Sequence, residues 1–188
     1  MLLHSTKEGT MNNVKLKRLV QGALVAAIYV VLGLALAPIT FGLVQCRISE
    51  ALTVLPVLCP AATWGVTLGC ALTNLVGAAT GANFLGLADV FLGSATTLCA
   101  ALLTRWLGRY RWNGIPVLAS LPPVLLNAVV IGGEWSFVTT GSLSPVAVLP
   151  FAGLIAVGQL ASCCGLGLLL VWALERSGAD QILKLERN

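Results

Sequence analysis

Charged residues are scarce in this sequence. They make up 10% of its 188 residues, whereas a soluble domain carries about 25%, and the mean hydropathy is +0.93. The longest stretches without a charge are residues 19–46, 51–88, 112–133 and 135–174. Because a helix that spans a bilayer needs about 20 apolar residues, this composition excludes an ordinary soluble domain. It predicts a multi-pass protein of the cell membrane.

Motifs for metal binding, nucleotide binding and covalent catalysis are also missing. The sequence has one histidine, His4, and its six cysteines form no Cys-x-x-Cys pair. It has no Gly-x-x-x-x-Gly-Lys-Ser/Thr phosphate loop, no His-Glu-x-x-His and no Gly-x-Ser-x-Gly. We therefore expect no metal, no cofactor and no enzymatic activity. We also expect that the chain does not bind ATP in the usual phosphate cradle.

Proline and glycine clusters divide the apolar stretches into six predicted membrane helices. These are residues 19–37, 48–58, 61–76, 89–107, 115–132 and 146–173. The first is interpreted as a retained helix, because its apolar run exceeds the ~7–15 residues of a signal-peptide core. The sequence thus predicts an all-α integral membrane protein. Residues 1–14 are expected to form a disordered tail, residues 15–175 a six-helix membrane domain and residues 176–188 a C-terminal tail.

The positions of the basic residues indicate the topology. With six helices and a cytoplasmic N-terminus, ten of the eleven lysines and arginines lie on the cytoplasmic side, and only Arg47 lies outside. This distribution agrees with the positive-inside rule. In a five-helix alternative, residues 51–76 form one kinked helix and the basic cluster at 105–111 lies outside, which the rule disfavours. Both termini are therefore expected in the cytoplasm.

Four charged residues remain once the cytoplasmic clusters and tails are set aside. The predicted topology places all of them toward the outer half, and they are Arg47, Glu50, Asp89 and Glu134. Charged side chains within membrane proteins usually face the bundle interior or water, because exposure to lipid is costly. These residues are the first candidates for a ligand site. The alternative is that they lie at helix ends without contacting a ligand.

Each candidate charge also has a structural interpretation. Arg47 and Glu50 are three residues apart, so on a helix they share a face and can pair, either structurally or to orient a ligand. Asp89 opens the fourth predicted helix, where capping is the favoured role. Glu134 caps no clear helix and adjoins Trp135. A carboxylate beside an indole favours a planar ligand that donates two parallel N–H bonds, although Trp135 can instead anchor the membrane interface.

Amides, small residues and one glycine-rich segment complete the set of candidates. The amides near the outer ends of the predicted helices can contact a ligand or bond between helices, and they are Gln45, Asn74, Asn83, Asn127 and Gln159. Interleaved small residues on the first helix allow close approach of another helix, and those at 65, 69, 73 and 77 predict packing within the protein. Residues 133–144 are expected to form an outer loop that gates access.

Three segments resemble the motifs of a known family. Residues 38–56, with the core Gln-Cys-Arg-Ile-Ser-Glu-Ala-Leu at 45–52, resemble the signature of the QueT family of queuosine-precursor transporters. Asn74 with residues 86–93, and residues 127–134, resemble the later motifs of that family in the same order. The resemblance extends from about residue 16 to residue 172. The chain departs from it at Gln159, where the family leads us to expect a glutamate.

The resemblance implies an S component of an energy-coupling factor (ECF) transporter, a six-helix membrane protein that captures a 7-deazaguanine such as a queuosine precursor or queuine. It implies a transmembrane coupling protein and two cytoplasmic ATPases as partners. It also implies a contact with these partners through an Ala-x-x-x-Ala pair, here Ala23 and Ala27. Combined with the candidates above, the expected substrate-binding residues are Glu134, Trp135, Arg47, Glu50, Asn127, Asp89, Gln45, Asn74 and Gln159.

Three alternatives to this function are open. An S component for another planar vitamin has similar hydrogen-bonding needs, but the Arg-Ile-Ser-Glu core and an outer region poor in aromatic residues disfavour it. A membrane-embedded enzyme would have to use Glu50, Asp89 or Glu134 as acid or base, without metal ligands or an activated nucleophile. A purely structural scaffold leaves the clustered outer charges unexplained.

Overall fold

The computed structural model describes residues 2–183, without the side chains of residues 2–13 and 182. In this part of the chain every regular element is helical. The α-helices are α1 (Leu2–Ala35), α2 (Ala37–Thr40), α3 (Ala61–Ala79), α4 (Leu87–Leu107), α5 (Leu121–Thr140), α6 (Pro145–Gln159), α7 (Leu168–Arg176) and α8 (Asp180–Leu183). Two 3₁₀ helices, Ile48–Val57 and Val117–Ser120, precede α3 and α5, and a π-helical stretch, Leu160–Gly167, joins α6 to α7.

Five helical segments are long and apolar enough to cross a membrane. They are Val14–Ala35, Ala61–Ala79, Leu87–Leu107, Val117–Thr140 and Pro145–Arg176. The second predicted span is instead a 3₁₀ helix of ten residues, which at about 2.0 Å per residue extends only ~20 Å. The hydrocarbon core is about 30 Å thick. Six membrane-length helices are therefore not confirmed. The ten-residue segment is too short to cross the hydrocarbon core, and its residues 49–56 are buried within the protein.

The packing of α1 against α3 shows how the chain runs between them. The backbone of Gly22 lies against Ala61 and Gly65, and Gly33 lies against Thr73. Residue numbers therefore rise in the same direction along both helices. The 3₁₀ helix Ile48–Val57 must carry the chain from the end of α1 back to the start of α3, and its residues 49–56 are all buried.

This path brings basic residues from distant parts of the sequence to one end of the bundle. Arg18 of α1 lines the same cavity as Arg105, Arg109 and Arg111, which lie at and beyond the end of α4. The two basic clusters that the positive-inside rule assigns to one side do lie at one end. We call it the basic end. Its cytoplasmic orientation, and that of both termini, stays a prediction.

The end of α5 differs from the expected gating loop. α5 continues to Thr140 and ends at Gly141, which has a left-handed φ of 69°. Gly132 lies within the helix because it is a packing site, where an added Cβ would lie 2.8 Å from the Cα of Ala152 on α6. Only residues 141–144 connect α5 to α6. The prediction of a loop over 133–144 is therefore wrong for residues 133–140, and the gating role stays a prediction.

The two ends of the chain are less fully described. α1 begins at Leu2, so the backbone is helical over most of residues 1–14, where the sequence predicts a disordered tail. The side chains there are not described. Residues 184–188 of the predicted C-terminal tail lie outside the described residues. The domain boundaries at 15 and 175 stay predictions.

The contact between α1 and α3 predicts a stability difference between two glycine substitutions. A Cβ at Gly65 would lie 2.6 Å from the carbonyl oxygen of Gly22, whereas a Cβ at Gly153 on α6 meets nothing within 4 Å. We expect Gly65→Ala to destabilise the protein by about 1–3 kcal/mol, the usual cost of overpacking. Gly153→Ala should cause no loss. Thermal unfolding of both variants in the same detergent checks this, and equal midpoints would contradict the packing described.

Candidate functional site

A buried ion pair joins Arg47 to Asp89. Nη2 of Arg47 donates to Oδ2 of Asp89 at 2.7 Å, and Nδ2 of Asn83 donates to the same oxygen at 2.9 Å. The guanidinium also lies 5.8 Å from the ring centre of Phe41. Burial acts to lower the pKa of Arg47, but the Asp89 carboxylate opposes this and the pKa ends above its usual value. Arg47 is therefore a cation in this buried setting.

This pair corrects two expectations from the sequence. Arg47 bonds to Asp89 rather than to Glu50, because α4 brings a carboxylate from 42 positions away. Asp89 does not cap α4, whose N-cap is Gly86 with no side-chain bond. Spacing along the chain identifies neighbours within one helix, but it does not identify a partner that packing brings from another helix.

Glu50 is anchored by side chains that come from other parts of the chain. Its Oε1 accepts a hydrogen bond from the Tyr29 hydroxyl at 2.5 Å. Its backbone carbonyl accepts bonds from Thr53 Oγ1 at 2.6 Å and from Cys163 Sγ at 3.5 Å. Tyr29 was not among the residues expected from the sequence, although a single tyrosine inside the apolar first helix indicates a buried hydroxyl that needs a hydrogen-bond partner. These bonds fix the start of the 3₁₀ helix against α1 and the π-helical stretch.

Gln45 and Gln159 lie on segments that approach each other closely. Gly158 allows the approach, since a Cβ there would lie 3.0 Å from the carbonyl carbon of Gln45. Gln45 has a positive φ of 43°, and strained backbone of this kind concentrates at functional sites. Gln159 ends α6 next to the π-helical stretch, and its Oε1 accepts a bond from Cys163 Sγ at 3.3 Å. Both amide side chains are buried.

Trp135 is the middle ring of a three-ring stack. Its centroid lies 5.3 Å from that of Phe84, at an interplanar angle of 23°, and 6.5 Å from that of Phe151, at 15°. Phe84 precedes α4 and Phe151 lies on α6, so three separate segments supply the rings. Neither phenylalanine was among the residues expected from the sequence. The expectation that this region is poor in aromatic residues is wrong. Nothing in their sequence spacing brings them together.

The two asparagines among the expected substrate residues each donate a hydrogen bond to a backbone carbonyl. Nδ2 of Asn74 donates to the backbone carbonyl of Asp89 at 2.9 Å and so joins α3 to α4. Nδ2 of Asn127 donates to the carbonyl of Pro123 at 2.9 Å, within α5. Because α5 extends past Glu134, Asn127 and Glu134 are two turns apart on one helix, and both are buried. From the sequence, Asn127 and Glu134 were expected to share a face only if the fifth helix extended as far as Glu134.

Several buried atoms in this region have no hydrogen-bond partner in the described protein. We call their residues, with Arg47 and Glu50, the polar cluster. The unpaired acceptors are both carboxylate oxygens of Glu134, Oε2 of Glu50, Oδ1 of Asp89 and Oδ1 of Asn74. The unpaired donors are Nε2 of Gln45, Nε2 of Gln159 and Nε1 of Trp135. Buried polar groups are normally paired, and each unpaired one costs about 1–3 kcal/mol.

Two groups of contacts in this cluster meet at the backbone of residues 45–50, where the N–H of Glu50 donates to the carbonyl of Arg47 at 2.9 Å and the N–H of Arg47 donates to that of Gln45 at 2.8 Å. Asp89 bonds to Arg47 and Asn74, while Cys163 links the carbonyl of Glu50 to Gln159. Glu134 lies within electrostatic range of Asp89 and Arg47.

The cluster lies in the half of the bundle opposite the basic end, because Asp89 is in the first turn of α4 and Arg105 in its last. The roles of these residues in substrate binding stay a prediction.

The predicted partner contact lies on the outer surface of α1. Ala23 and Ala27 are exposed, whereas Ala26 is buried. Their small side chains leave room for the backbone of another helix to approach. Contact with a partner at this surface stays a prediction.

Comparison with known proteins adds a family to this geometry. The family model described as QueT transporter matches residues 19–176. No curated protein and no solved structure matches the chain. The match covers most of the chain and includes the whole polar cluster, and it agrees with an architecture of several membrane-length helices. This multi-pass membrane protein therefore belongs to the QueT transporter family.

Proposed function

We propose that this protein is the S component of an ECF transporter and captures a 7-deazaguanine, a queuosine precursor or queuine, from the outer side of the membrane. Family membership supports the transport role. The observation that carries the ligand assignment is the pair of unpaired, buried carboxylate oxygens on Glu134 beside the stacked ring of Trp135. A buried site of this kind has affinity for a ligand that supplies the missing partners.

The hydrogen-bonding pattern of a guanine-like edge complements the cluster. Its N1–H and 2-amino groups are parallel donors, which one carboxylate accepts bidentately, and Glu134 has both oxygens available. Its O6 is an acceptor, which Nε2 of Gln159 or Gln45 serves as donor. An adenine-like edge presents an acceptor at N1, which would face a carboxylate oxygen. The site should therefore prefer guanine-type edges.

The remaining groups indicate how the ligand is held and which substituent suits it. Phe84 and Phe151 cover the two faces of Trp135, so the outer faces of these phenylalanines are the ones against which a planar heterocycle can stack. The cluster contains three carboxylates, those of Glu50, Asp89 and Glu134, and one guanidinium. This excess of acidic groups supports a ligand with an amine substituent. Gln159 contributes a neutral donor where a glutamate would add another acid.

The proposal assigns the energy source to partner subunits. The sequence has no phosphate loop, so two cytoplasmic ATPases and a transmembrane coupling protein would drive release of the substrate inside. The exposed small residues Ala23 and Ala27 are the proposed contact. The surrounding surface of α1 is apolar, with Val20, Leu24 and Val31 exposed, which suits a partner within the membrane.

Replacing Glu134 should weaken binding without destabilising the protein. Glu134→Gln removes the charge and one acceptor, and we expect affinity for an aminomethyl-7-deazaguanine to fall about 10- to 100-fold, equivalent to ~1.5–3 kcal/mol for a charged hydrogen bond. The unliganded variant should be at least as stable as the parent, because a neutral amide costs less to bury. Calorimetric titration and thermal unfolding of the purified chain measure the two effects.

The matched control for this experiment is Glu175→Gln. It makes the same chemical change at the basic end, where Glu175 pairs with Arg111, and should leave affinity unchanged. An adenine analogue and unrelated planar vitamins serve as competitors and should not displace the ligand. Parental affinity in Glu134→Gln, or displacement by another vitamin, would refute the assignment of the ligand.

Replacing Asp89 should act mainly through stability. Asp89→Asn leaves the buried Arg47 cation without its counter-charge, and breaking a buried pair in this way costs about 3–5 kcal/mol. We therefore expect a much lower unfolding midpoint than in Glu134→Gln, measured side by side in one detergent. An Asp89→Asn protein as stable as the parent would show that the pair is not the structural anchor described above.

Bulky residues on the exposed face of α1 should separate binding from uptake. We expect the double variant Ala23→Leu, Ala27→Leu to bind substrate like the parent but to lose uptake in cells that supply the coupling protein and both ATPases. The control is Ala95→Leu, an equal enlargement at an exposed position of α4, which should leave uptake intact. Undiminished uptake by the double variant would rule out this face as the partner contact.

A further inference from the structure

Two adjoining cavities at the basic end differ in character. The first, of about 690 Å³, is lined by Arg18, Arg105, Arg109, Arg111 and Glu175 together with parts of the turn that follows the 3₁₀ helix. The second, of about 570 Å³, lies between α1 and α3. Arg18, Pro60 and Arg105 line both cavities, so a single elongated molecule can extend through the two.

The first cavity carries an excess of positive charge. Among the described residues of its walls, Glu175 is the one that is acidic, and Arg111 holds it with two contacts, Nη1–Oε2 at 2.9 Å and Nη2–Oε1 at 2.8 Å. The guanidinium of Arg109 is oriented over the rings of Trp106 and Tyr110, at 4.5 and 5.2 Å from their centroids. Arg105 and Arg109 add two further guanidinium groups to the walls, which favours an anionic group because a guanidinium matches phosphate oxygens well.

The second cavity is an apolar groove with a basic mouth. Lys15, Arg18 and Arg105 lie at the end that joins the first cavity. Leu19, Trp64 and Leu68 lie along its sides, and each of them is more than half exposed. Ala23 of the proposed partner contact also lines this groove. In a membrane such residues face lipid chains. A groove of this kind takes an alkyl chain whose polar end lies among the basic residues.

From this arrangement we propose that the protein holds an anionic phospholipid at its basic end, with the phosphate in the arginine-lined cavity and an acyl chain in the groove between α1 and α3. Charge and shape both support this occupant. Basic pockets between membrane helices bind anionic headgroups, and the groove is continuous with the charged cavity through shared walls. The site lies at the end opposite the polar cluster and does not depend on the substrate proposed above.

Lipid binding to the purified, delipidated full-length chain tests this proposal. Native mass spectrometry in a neutral detergent is used to titrate phosphatidylglycerol, phosphatidylcholine with the same acyl chains, and inorganic phosphate. We expect saturable binding of one phosphatidylglycerol and much weaker binding of phosphatidylcholine. Inorganic phosphate should not displace the lipid. No saturable phosphatidylglycerol, equal binding of the zwitterionic lipid, or displacement by phosphate would overturn the proposal.

Matched arginine variants locate the bound lipid. Arg105→Gln should weaken phosphatidylglycerol binding by about fivefold or more, as expected for one basic charge near an anionic lipid. Arg105→Lys keeps the charge and should retain most of the affinity, which separates loss of charge from misfolding. Arg176→Gln removes an exposed arginine that lines neither cavity and should have no effect. Equal weakening by Arg105→Gln and Arg176→Gln would show diffuse surface attraction and overturn the site.

Discussion

The buried pair of Arg47 and Asp89 is the interaction on which the half of the bundle opposite the basic end depends. A lone charge in this setting would be very costly, so each partner requires the other. Oδ2 of Asp89 also accepts a bond from Asn83, and its backbone carbonyl accepts one from Asn74. One acidic residue thus fixes the loop that enters the 3₁₀ helix, the turn between α3 and α4, and α3 itself. The positions of Gln45 and Glu50 follow from that loop.

The acidic residues divide between framework and ligand site according to their partners. Asp89 and Glu50 each have an oxygen held by a donor from another part of the chain, Arg47 and Tyr29 respectively. Both oxygens of Glu134 lack a hydrogen-bond partner among the described residues, which costs stability. The same region therefore contains groups that maintain the fold and groups that the proposed function assigns to a ligand. Stability and binding measurements should separate them.

The charge distribution gives the two ends of the bundle opposite characters. Acidic groups and amides lie buried around Asp89, while arginines line an open cavity at the other end of α4. The 3₁₀ helix makes this possible, because it returns the chain through the interior in ten residues and leaves α1 and α3 parallel. Both N-terminal and α4 basic clusters then reach the same end.

Hydropathy and charge along the chain were enough to predict a multi-pass membrane protein and the bounds of most long helices to within a few residues. They also identified the charged residues that lie between the apolar stretches. Hydropathy and charge are properties of neighbouring positions, so they are readable along the chain. Tertiary structure decided the partner of Arg47, the 3₁₀ form of residues 48–57, the helical course of α5 past Gly132, and the stack of Phe84, Trp135 and Phe151. Each of these depends on contacts between segments far apart in sequence, where packing and long-range pairing outweigh local preference.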